Sequence, residues 1–242
     1  MKMIKISDKE YFSSNELNNS TLKAFRVSPQ KIGVQKTSKA FDIGKLWHAV
    51  ILDQQEELEE NYIFTEKLDG RSKEGKEQKK DALERNLILV DNNELKDIEY
   101  AKSKVLESLN DIDLMIDFIE SEKEVAMFFD RDGVKCKDKV DAVNHDKKII
   151  FDLKTISEID KVNYNMKAFK YPLQADFYSY PLKDYRFIFV FIENVAPYCT
   201  KILELTDKSK HEAYLNNEFY IDLYKKWIEN GKKRTIATLE MY

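Results

Sequence analysis

Two aspartates and a lysine give the strongest indication of chemistry in this sequence. Asp141 lies eleven residues before Asp152, and Lys154 follows two residues later. Because side chains alternate along a strand, Asp152 and Lys154 would share one face of a strand. A short turn at 145–147 would bring Asp141 beside Asp152 on the neighbouring strand. Two carboxylates that close repel strongly without a cation, and their oxygens suit Mg²⁺ or Mn²⁺.

A lysine next to such a pair could orient an attacking water or offset charge on a phosphate, as phosphodiester hydrolysis needs. A D-x-K triplet alone also occurs by chance on solvated strands. Here, however, Asp152 interrupts the apolar run Ile149–Leu153, where an unpaired buried charge would be costly. The sequence therefore predicts a metal-dependent hydrolytic site.

Three lysines at alternate positions, Lys135, Lys137 and Lys139, would lie on the same strand face as Asp141. This basic stripe could follow a phosphate backbone. It could equally be a solvated edge strand that lysines protect from pairing with other chains. A second basic group, Arg71, Lys73 and Lys76, lies in the hydrophilic segment 66–81. It could contact DNA or only keep a loop soluble.

The elements that must position these residues follow from the hydrophobic periodicity. Apolar spacings of three and four predict a mainly helical N-terminal part, about 1–121. A catalytic core of about 122–230 follows, and together they suggest a single domain over 1–242. In the core we expect an antiparallel meander, two more strands and a long final helix. The predicted strands are Glu124–Asp130, Val134–Asn144, Lys148–Thr155, Asp184–Glu193 and Tyr198–Leu205.

Composition limits the class of protein. The 242 residues are 43% hydrophobic and 35% charged, with two cysteines, too few for a disulfide scaffold or a four-cysteine iron–sulfur site. No apolar run is long enough for a membrane span, and the start has no signal-peptide pattern, so we expect an intracellular, cytoplasmic protein without membrane association. The net charge of −4 excludes nucleic-acid binding by bulk positive charge, so lysines would have to be concentrated locally.

Six short motifs then occur in a recognisable order between about Tyr11 and Leu205. Together they resemble the PD-(D/E)XK nuclease superfamily, and within it the RecE-type (exonuclease VIII-like) phage recombination exonucleases. One departure is Val140, which stands where the superfamily's motif has proline; the change affects the backbone and removes no ligand. The motifs are Asn19–Lys23 with Ser28-Pro29, Gly44–His48, Gly70–Lys76, Glu124 with Gly133–Lys137 and Asp141, Asp152–Thr155, and Gln174–Tyr178.

The resemblance implies an α/β fold with a restriction-endonuclease-like core, in which helices flank a mixed central β-sheet. It also implies roles for individual residues. His48, Asp141, Asp152 and the backbone carbonyl of Leu153 would bind the metal ion. Lys154 would be catalytic, Glu124 an active-site acid, and Gln174 and Tyr178 would position phosphate or nucleophile. Simpler explanations stay open. His48 could be a structural or exposed histidine, Glu124 could be one of several charges where a strand begins, and Gln174 and Tyr178 could only pack and form a hydrogen bond.

The implied activity is a Mg²⁺-dependent exonuclease, with Mn²⁺ as a possible substitute, acting on linear double-stranded DNA. Digestion would run 5′ to 3′ and leave a 3′ single strand for an annealing partner protein. A homo-oligomeric ring, a tetramer, would surround the DNA and reconcile the acidic overall charge with DNA binding. The alternatives are an endonuclease or single-strand-specific nuclease on the same core, and a catalytically inactive DNA-end-binding module.

Overall fold

The computed structural model describes residues 1–34, 39–66 and 72–232, and for 39–42 only the backbone course. Within these residues six strands form one sheet in the order β1–β4–β5–β6–β7–β8. Neighbouring strands are antiparallel except for β6 and β7, which are parallel. The strands are β1 (Lys2–Ile4), β4 (Glu122–Arg131), β5 (Val134–Asn144), β6 (Ile149–Ile156), β7 (Arg186–Glu193) and β8 (Thr200–Glu204). Strands β2 (Tyr62–Thr65) and β3 (Ile88–Asp91) pair separately, in parallel.

Helices cover both faces of the six-stranded sheet. Their bounds are α1 (Asp8–Ser13), α2 (Asn19–Val27), α3 (Lys39–Ile51), α4 (Gln55–Asn61), α5 (Lys73–Glu84), α6 (Asn92–Asn110), α7 (Met115–Ile119), α8 (Val162–Ala168), α9 (Tyr171–Ser179) and α10 (Asp207–Glu229). One core, with Phe177 and Phe189, lies under α2, α9 and α10; the other, with Trp47 and Phe151, lies under α3, α6 and α7. The predicted α/β class with a mixed, helix-flanked sheet is confirmed.

The predicted meander of β4, β5 and β6 is confirmed, and its first turn has a clear physical cause. Asp132 and Gly133 have φ values of 53° and 82°, the positive values that a two-residue type I′ hairpin turn needs. Strands β6 and β7 are parallel because α8 and α9 form the crossover between them. Both faces of these two strands are covered, so their sequences are nearly continuous apolar runs. Asp152 is the charged residue within the run of β6.

The expectation of a mainly helical part over 1–121 is incomplete. Strand β1 pairs with the edge of the main sheet at β4, and β2 with β3 forms a second small sheet. These strands have three or four residues, which is too short for an alternating pattern to be distinguished from helix spacing. The final helix predicted from about residue 207 is confirmed as α10. Within the described residues, no helix combines the length and the apolar character that crossing a membrane requires.

Candidate active site

A histidine and two acidic residues from three different elements meet at one end of β5. His48 comes from the last turn of α3, Glu124 from β4 and Asp141 from β5. Each offers a ligand atom, and these atoms all lie within 4.8 Å of one another. The His48 Nδ1 lies 3.7 Å from the Asp141 Oδ2. The structure thus brings His48 of the Gly44–His48 motif next to Glu124 and Asp141, which belong to a motif much later in the sequence.

A break in the pairing of β4 and β5 occurs at the two acidic residues. The ladder pairs Lys123 with Ala142 and Val125 with Val140, but leaves out Glu124 and Asp141 between them. Glu124 has a φ of 55°, a left-handed conformation that a non-glycine residue rarely adopts in a strand. Such backbone strain is common where a fold must direct side chains into a functional site.

The Leu153 peptide group lies beside this cluster. The pairing of β5 with β6 ends at Ala142 and Phe151. Beyond that point the backbone N–H of Leu153 donates to Asp141 Oδ2 at 2.7 Å. His48 is also hydrogen-bonded to the Leu153 backbone. The side chain of Asp141 thus takes the place of a backbone acceptor, and the predicted ligand residue Leu153 lies next to His48 and Asp141.

Asp152 and Lys154 form the second part of the site. Asp152 is 1% exposed and forms an ion pair with Lys154. From α9, the Gln174 Nε2 donates to Asp152 Oδ1 at 3.2 Å. The Lys154 amino group also lies 5.2 Å from the centre of the Tyr171 ring. Asp152 is outside the group within 4.8 Å that His48, Glu124 and Asp141 form, and its role as a metal ligand stays a prediction.

Tyr178 lies one helical turn after Gln174 on α9. Burial raises the pKa of its hydroxyl well above the usual range, and the negative charges of Asp152, Asp138 and Asp141 add to the effect. The hydroxyl of Tyr178 is therefore neutral near pH 7.

Burial and crowding of negative charge determine the protonation of the site. Burial lowers the pKa of His48 to about 4, with a further contribution from the charge of Lys154. Its imidazole is therefore neutral near pH 7 and has a lone pair for a metal ion. Burial raises the pKa of Asp152 to about 6; the charge of Lys154 lowers it and that of Asp141 raises it. Burial raises the pKa of Asp141 and Glu124 as well.

These residues fit a divalent cation. The buried Asp152 and the partly buried Asp141 and Glu124 all have raised pKa values. They are held close together at a cost in free energy that a cation would remove. A neutral imidazole and carboxylate oxygens are ligands of Mn²⁺ and related ions, whereas Mg²⁺ prefers oxygen alone. The donor set therefore suits a divalent metal ion.

The three lysines of β5 do not form one exposed stripe. Lys135 has a side chain that is 78% exposed and lies 3.1 Å from Asp130. Lys139 is ion-paired with Asp8 at 2.6 Å and with Glu124. Lys137 is buried, and its amino group donates to the backbone oxygens of Tyr11 at 2.5 Å and of Ser14 at 2.8 Å. The prediction that Lys137 lies on a DNA-binding surface needs correction, since α1 and the loop after it cover this lysine.

The second basic group is only partly described. Arg71 lies outside the described residues. Lys73 and Lys76 are exposed in the first turns of α5, whose N-terminus is capped by Ser72. The helix packs against β3. Their predicted contact with DNA stays a prediction.

A cleft of about 360 Å³ opens onto the cluster. Its wall includes His48, Glu124 and Lys139, Lys45 from the Gly44–His48 motif, and two residues of α1 that no motif indicated, Asp8 and Phe12. The sequence has no signal for them, because their role depends on how α1 folds over β5. A buried carboxyl, Asp138, was also missed; the charged stripe around it suggested a solvated strand.

Comparison with known proteins agrees with this geometry. The profile of a PDDEXK-like domain of unknown function, DUF3799, matches residues 16–238. A candidate exonuclease from Eubacterium rectale has a similar structure, with a TM-score of 0.61 and 15% identity over 96% of this chain and 89% of that one. A phage-related exonuclease from Haemophilus somnus 129PT is 13% identical over 52% of this chain and 73% of its own, with a TM-score of 0.31. No protein with curated annotation matches the sequence significantly.

The predicted resemblance to the PD-(D/E)XK superfamily is confirmed by the family match. The match begins at residue 16 and runs through all the strands and helices that hold the site, except β1 and α1. The chain belongs to the DUF3799 family of PDDEXK-like domains.

Proposed function

We propose that this protein is a divalent-metal-dependent exodeoxyribonuclease that degrades linear double-stranded DNA from 5′ to 3′. The 3′ single strand left behind would serve recombination by strand annealing with a partner protein. The observation that carries the proposal is the group formed by His48, Glu124 and Asp141 within 4.8 Å, beside the ion pair of Asp152 with Lys154. The family match and the motif resemblance support the reaction class; the polarity and the duplex substrate rest on the resemblance.

Each residue has a role that its environment supports. His48, Glu124 and Asp141 would hold the metal ion, with Asp152 and the Leu153 carbonyl next to them. The chemistry that Mg²⁺ or Mn²⁺ would supply at these residues is the activation of a water and the offsetting of the phosphate charge. Asp141 is oriented by the Leu153 N–H, which fixes its carboxylate before substrate arrives.

Lys154 is the cation that this chain supplies. Burial lowers its pKa, but the charges of Asp152 and Asp141 outweigh burial and raise the pKa overall. The amino group thus remains protonated and can donate to the attacking water or to the scissile phosphate. Gln174 donates a hydrogen bond to the Oδ1 of Asp152, and this bond fixes the counter-ion of Lys154. Fixed geometry matters here because a displacement of about 1 Å can lower a catalytic rate about a hundredfold.

The test uses purified protein, Mg²⁺ or Mn²⁺, and linear duplex DNA labelled at the 5′ or the 3′ end. Covalently closed circular DNA and an Asp152→Ala protein are run in parallel. We expect progressive loss of linear DNA, early release of the 5′ label, intact circles and an inactive variant. Early release of the 3′ label would reverse the proposed polarity.

Two other outcomes would support the alternatives. Cut circles would indicate an endonuclease on the same core. DNA binding without cleavage in either metal would leave a DNA-end-binding module and contradict the proposed mechanism.

A further inference from the structure

An exposed aromatic side chain lies in the wall of the active-site cleft. Phe12 is 64% exposed, and it lines the same cleft as His48 and Glu124. Among the described residues of that lining it is the one phenylalanine, tyrosine or tryptophan. Single exposed apolar side chains are common on protein surfaces, so the position of Phe12 in the wall of this cleft, rather than its exposure, carries the inference.

The helix that carries Phe12 is firmly attached at its start. A helix of six residues is unstable by itself, but α1 has a capping box between Ser7 and Glu10. Asp8, in its first turn, lies 2.6 Å from Lys139 Nζ and 3.6 Å from Lys45 Nζ. These contacts fix α1 to β5 and α3, the two elements that supply Asp141 and His48.

The end of α1 is attached as well. The buried Lys137 donates to the backbone oxygens of Tyr11 and Ser14 and, at 2.9 Å, to Ser14 Oγ. Tyr11 is 6% exposed, and its ring meets that of Phe12 edge to face at 5.1 Å and 79°. Phe12 therefore has a rigid support while most of its own ring faces solvent. A binding contact needs this combination of fixed support and free face.

We propose that Phe12 stacks on a nucleobase next to the phosphate that the active site holds, so that α1 is a substrate-binding wall. The inference rests on the proposed function and specifies how the strand is held. Stacking suits a nuclease without sequence preference, because every base has a π face. Residues 1–15, which include α1, precede the part of the chain that the family profile matches.

The experiment measures the affinity for a DNA end by fluorescence anisotropy in a Lys154→Ala background, which prevents cleavage during the measurement. The labelled DNA has either all its bases or one abasic position, moved in turn through the terminal nucleotides. Phe12→Ala is compared with Phe12→Tyr, which keeps the ring. Phe219→Ala is the matched control, since Phe219 is 59% exposed on α10 and does not line the cleft.

We expect Phe12→Ala to weaken binding of intact DNA about tenfold, equivalent to about 1.4 kcal/mol, at the lower end of the range for base stacking. Phe12→Tyr and Phe219→Ala should bind as the parent protein does. With DNA that is abasic at the contacted position, Phe12→Ala should have no further effect.

Equal affinity of Phe12→Ala and its parent for intact DNA would overturn the inference. The inference would also be overturned if Phe12→Ala weakened binding at every position of the abasic site. That result would show that Phe12 supports the fold of the protein and does not contact a base. If the protein with its native Lys154 never cleaves DNA but the affinities in the Lys154→Ala background follow the expected pattern, the proposed function fails and the stacking contact stands. No DNA binding at all would overturn both.

Discussion

Lys154 is the residue on which the proposed chemistry can be tested most directly. It is paired with Asp152, and the carboxylates around it keep it protonated. We expect Lys154→Ala to reduce the cleavage rate by about 10² or more, the effect of removing one preorganised charge donor. DNA binding should change little, because phosphate contacts elsewhere supply most of the affinity. The measurement is single-turnover cleavage of labelled linear duplex with a parallel binding titration.

The control is Lys167→Ala, which removes an exposed lysine on α8. It should retain the parental rate. If Lys154→Ala cleaved as fast as this control, the proposed role of the ion pair would be wrong.

His48 predicts a preference among metal ions. Its imidazole is neutral at pH 7 because burial lowers its pKa to about 4, and nitrogen ligands bind Mn²⁺ better than Mg²⁺. We expect Mn²⁺ to support cleavage at a lower concentration than Mg²⁺. His48→Asn offers an oxygen in place of the nitrogen. It should lower activity, and the half-activating concentration of Mg²⁺ divided by that of Mn²⁺ should be smaller than in the parent protein. An unchanged ratio in the variant would mean that His48 does not bind the metal.

Asp138 predicts how stability depends on pH. Asp138 lies on β5, fully buried, and is paired with Met127 of β4. Within the described structure neither of its carboxylate oxygens has a hydrogen-bond partner. Burial raises its pKa well above 3.8, so the folded protein keeps a proton that the unfolded chain releases. The contribution of Asp138 to stability is therefore fully present below its ordinary pKa of 3.8 and is lost as pH rises towards the raised pKa of the folded protein, by at most about 1.4 kcal/mol per pH unit.

The test compares urea unfolding of the parent and Asp138→Asn between about pH 5 and pH 8, with chelator present. Other carboxylates with raised pKa values also make the free energy of unfolding fall as pH rises. The quantity to compare is therefore the difference in the free energy of unfolding between the parent and Asp138→Asn at each pH. We expect the variant to gain stability relative to the parent as pH rises. A difference that stays constant with pH would contradict a protonated Asp138.

The sequence predicted part of this residue-level picture. The spacing of Asp141, Asp152 and Lys154 depends on strand alternation, which is local, and the structure places them as a connected site. Alternation cannot show which face of a strand is covered. For this reason the burial of Lys137 and of Asp138, on opposite faces of β5, was not predictable.

At the scale of elements, Lys137 is expected to hold α1 in place. Lys137→Met keeps most of the side-chain volume but removes the amino group that donates to the carbonyls of Tyr11 and Ser14; the Tyr11 carbonyl keeps the Ser14 hydroxyl as a donor, at 3.1 Å. We expect a loss of about 1–3 kcal/mol in the free energy of unfolding, and faster hydrogen exchange in residues 8–14. Urea unfolding and exchange measured by mass spectrometry test this.

Lys135→Met is the matched control, because Lys135 is on the same face of β5 with its side chain 78% exposed. Its effect on stability should lie within about 0.5 kcal/mol. Equal effects of the two substitutions would show that the Lys137 contacts do not hold α1.

The elements of the core were predictable where they are long and periodic. Strands β4 to β8 and helix α10 have enough residues for apolar positions to repeat. Strands β1, β2 and β3 and helix α1 are short, and they are stabilised by contacts with distant parts of the chain. The cleft wall formed by α1 is therefore the part of the site that sequence patterns could not provide.

At the scale of the whole molecule, the charge balance has to be reconciled with DNA binding. The chain has 40 basic and 44 acidic residues and a net charge of −4. Of the three lysines of β5, Lys137 is buried and Lys139 is paired with acidic groups. One chain therefore offers less positive surface near the site than the sequence suggested. A ring of chains around the DNA would hold the substrate by enclosure and would need less attraction per chain.

The ring therefore predicts two linked results. Light scattering after size exclusion should give four times the chain mass of 28.6 kDa. In the second experiment the salt concentration is raised after digestion of linear DNA has begun, to a level at which free protein no longer binds DNA. Protein already on the DNA should continue to digest it, because a ring that encloses the DNA does not dissociate when phosphate contacts are lost. An open monomer holds DNA only through those contacts, whose affinity falls steeply with salt, so its digestion would stop at once. The ring would be contradicted if light scattering gave the mass of one chain and digestion stopped as soon as the salt was raised. Enclosure of the DNA would then not explain how a chain with a net negative charge binds it.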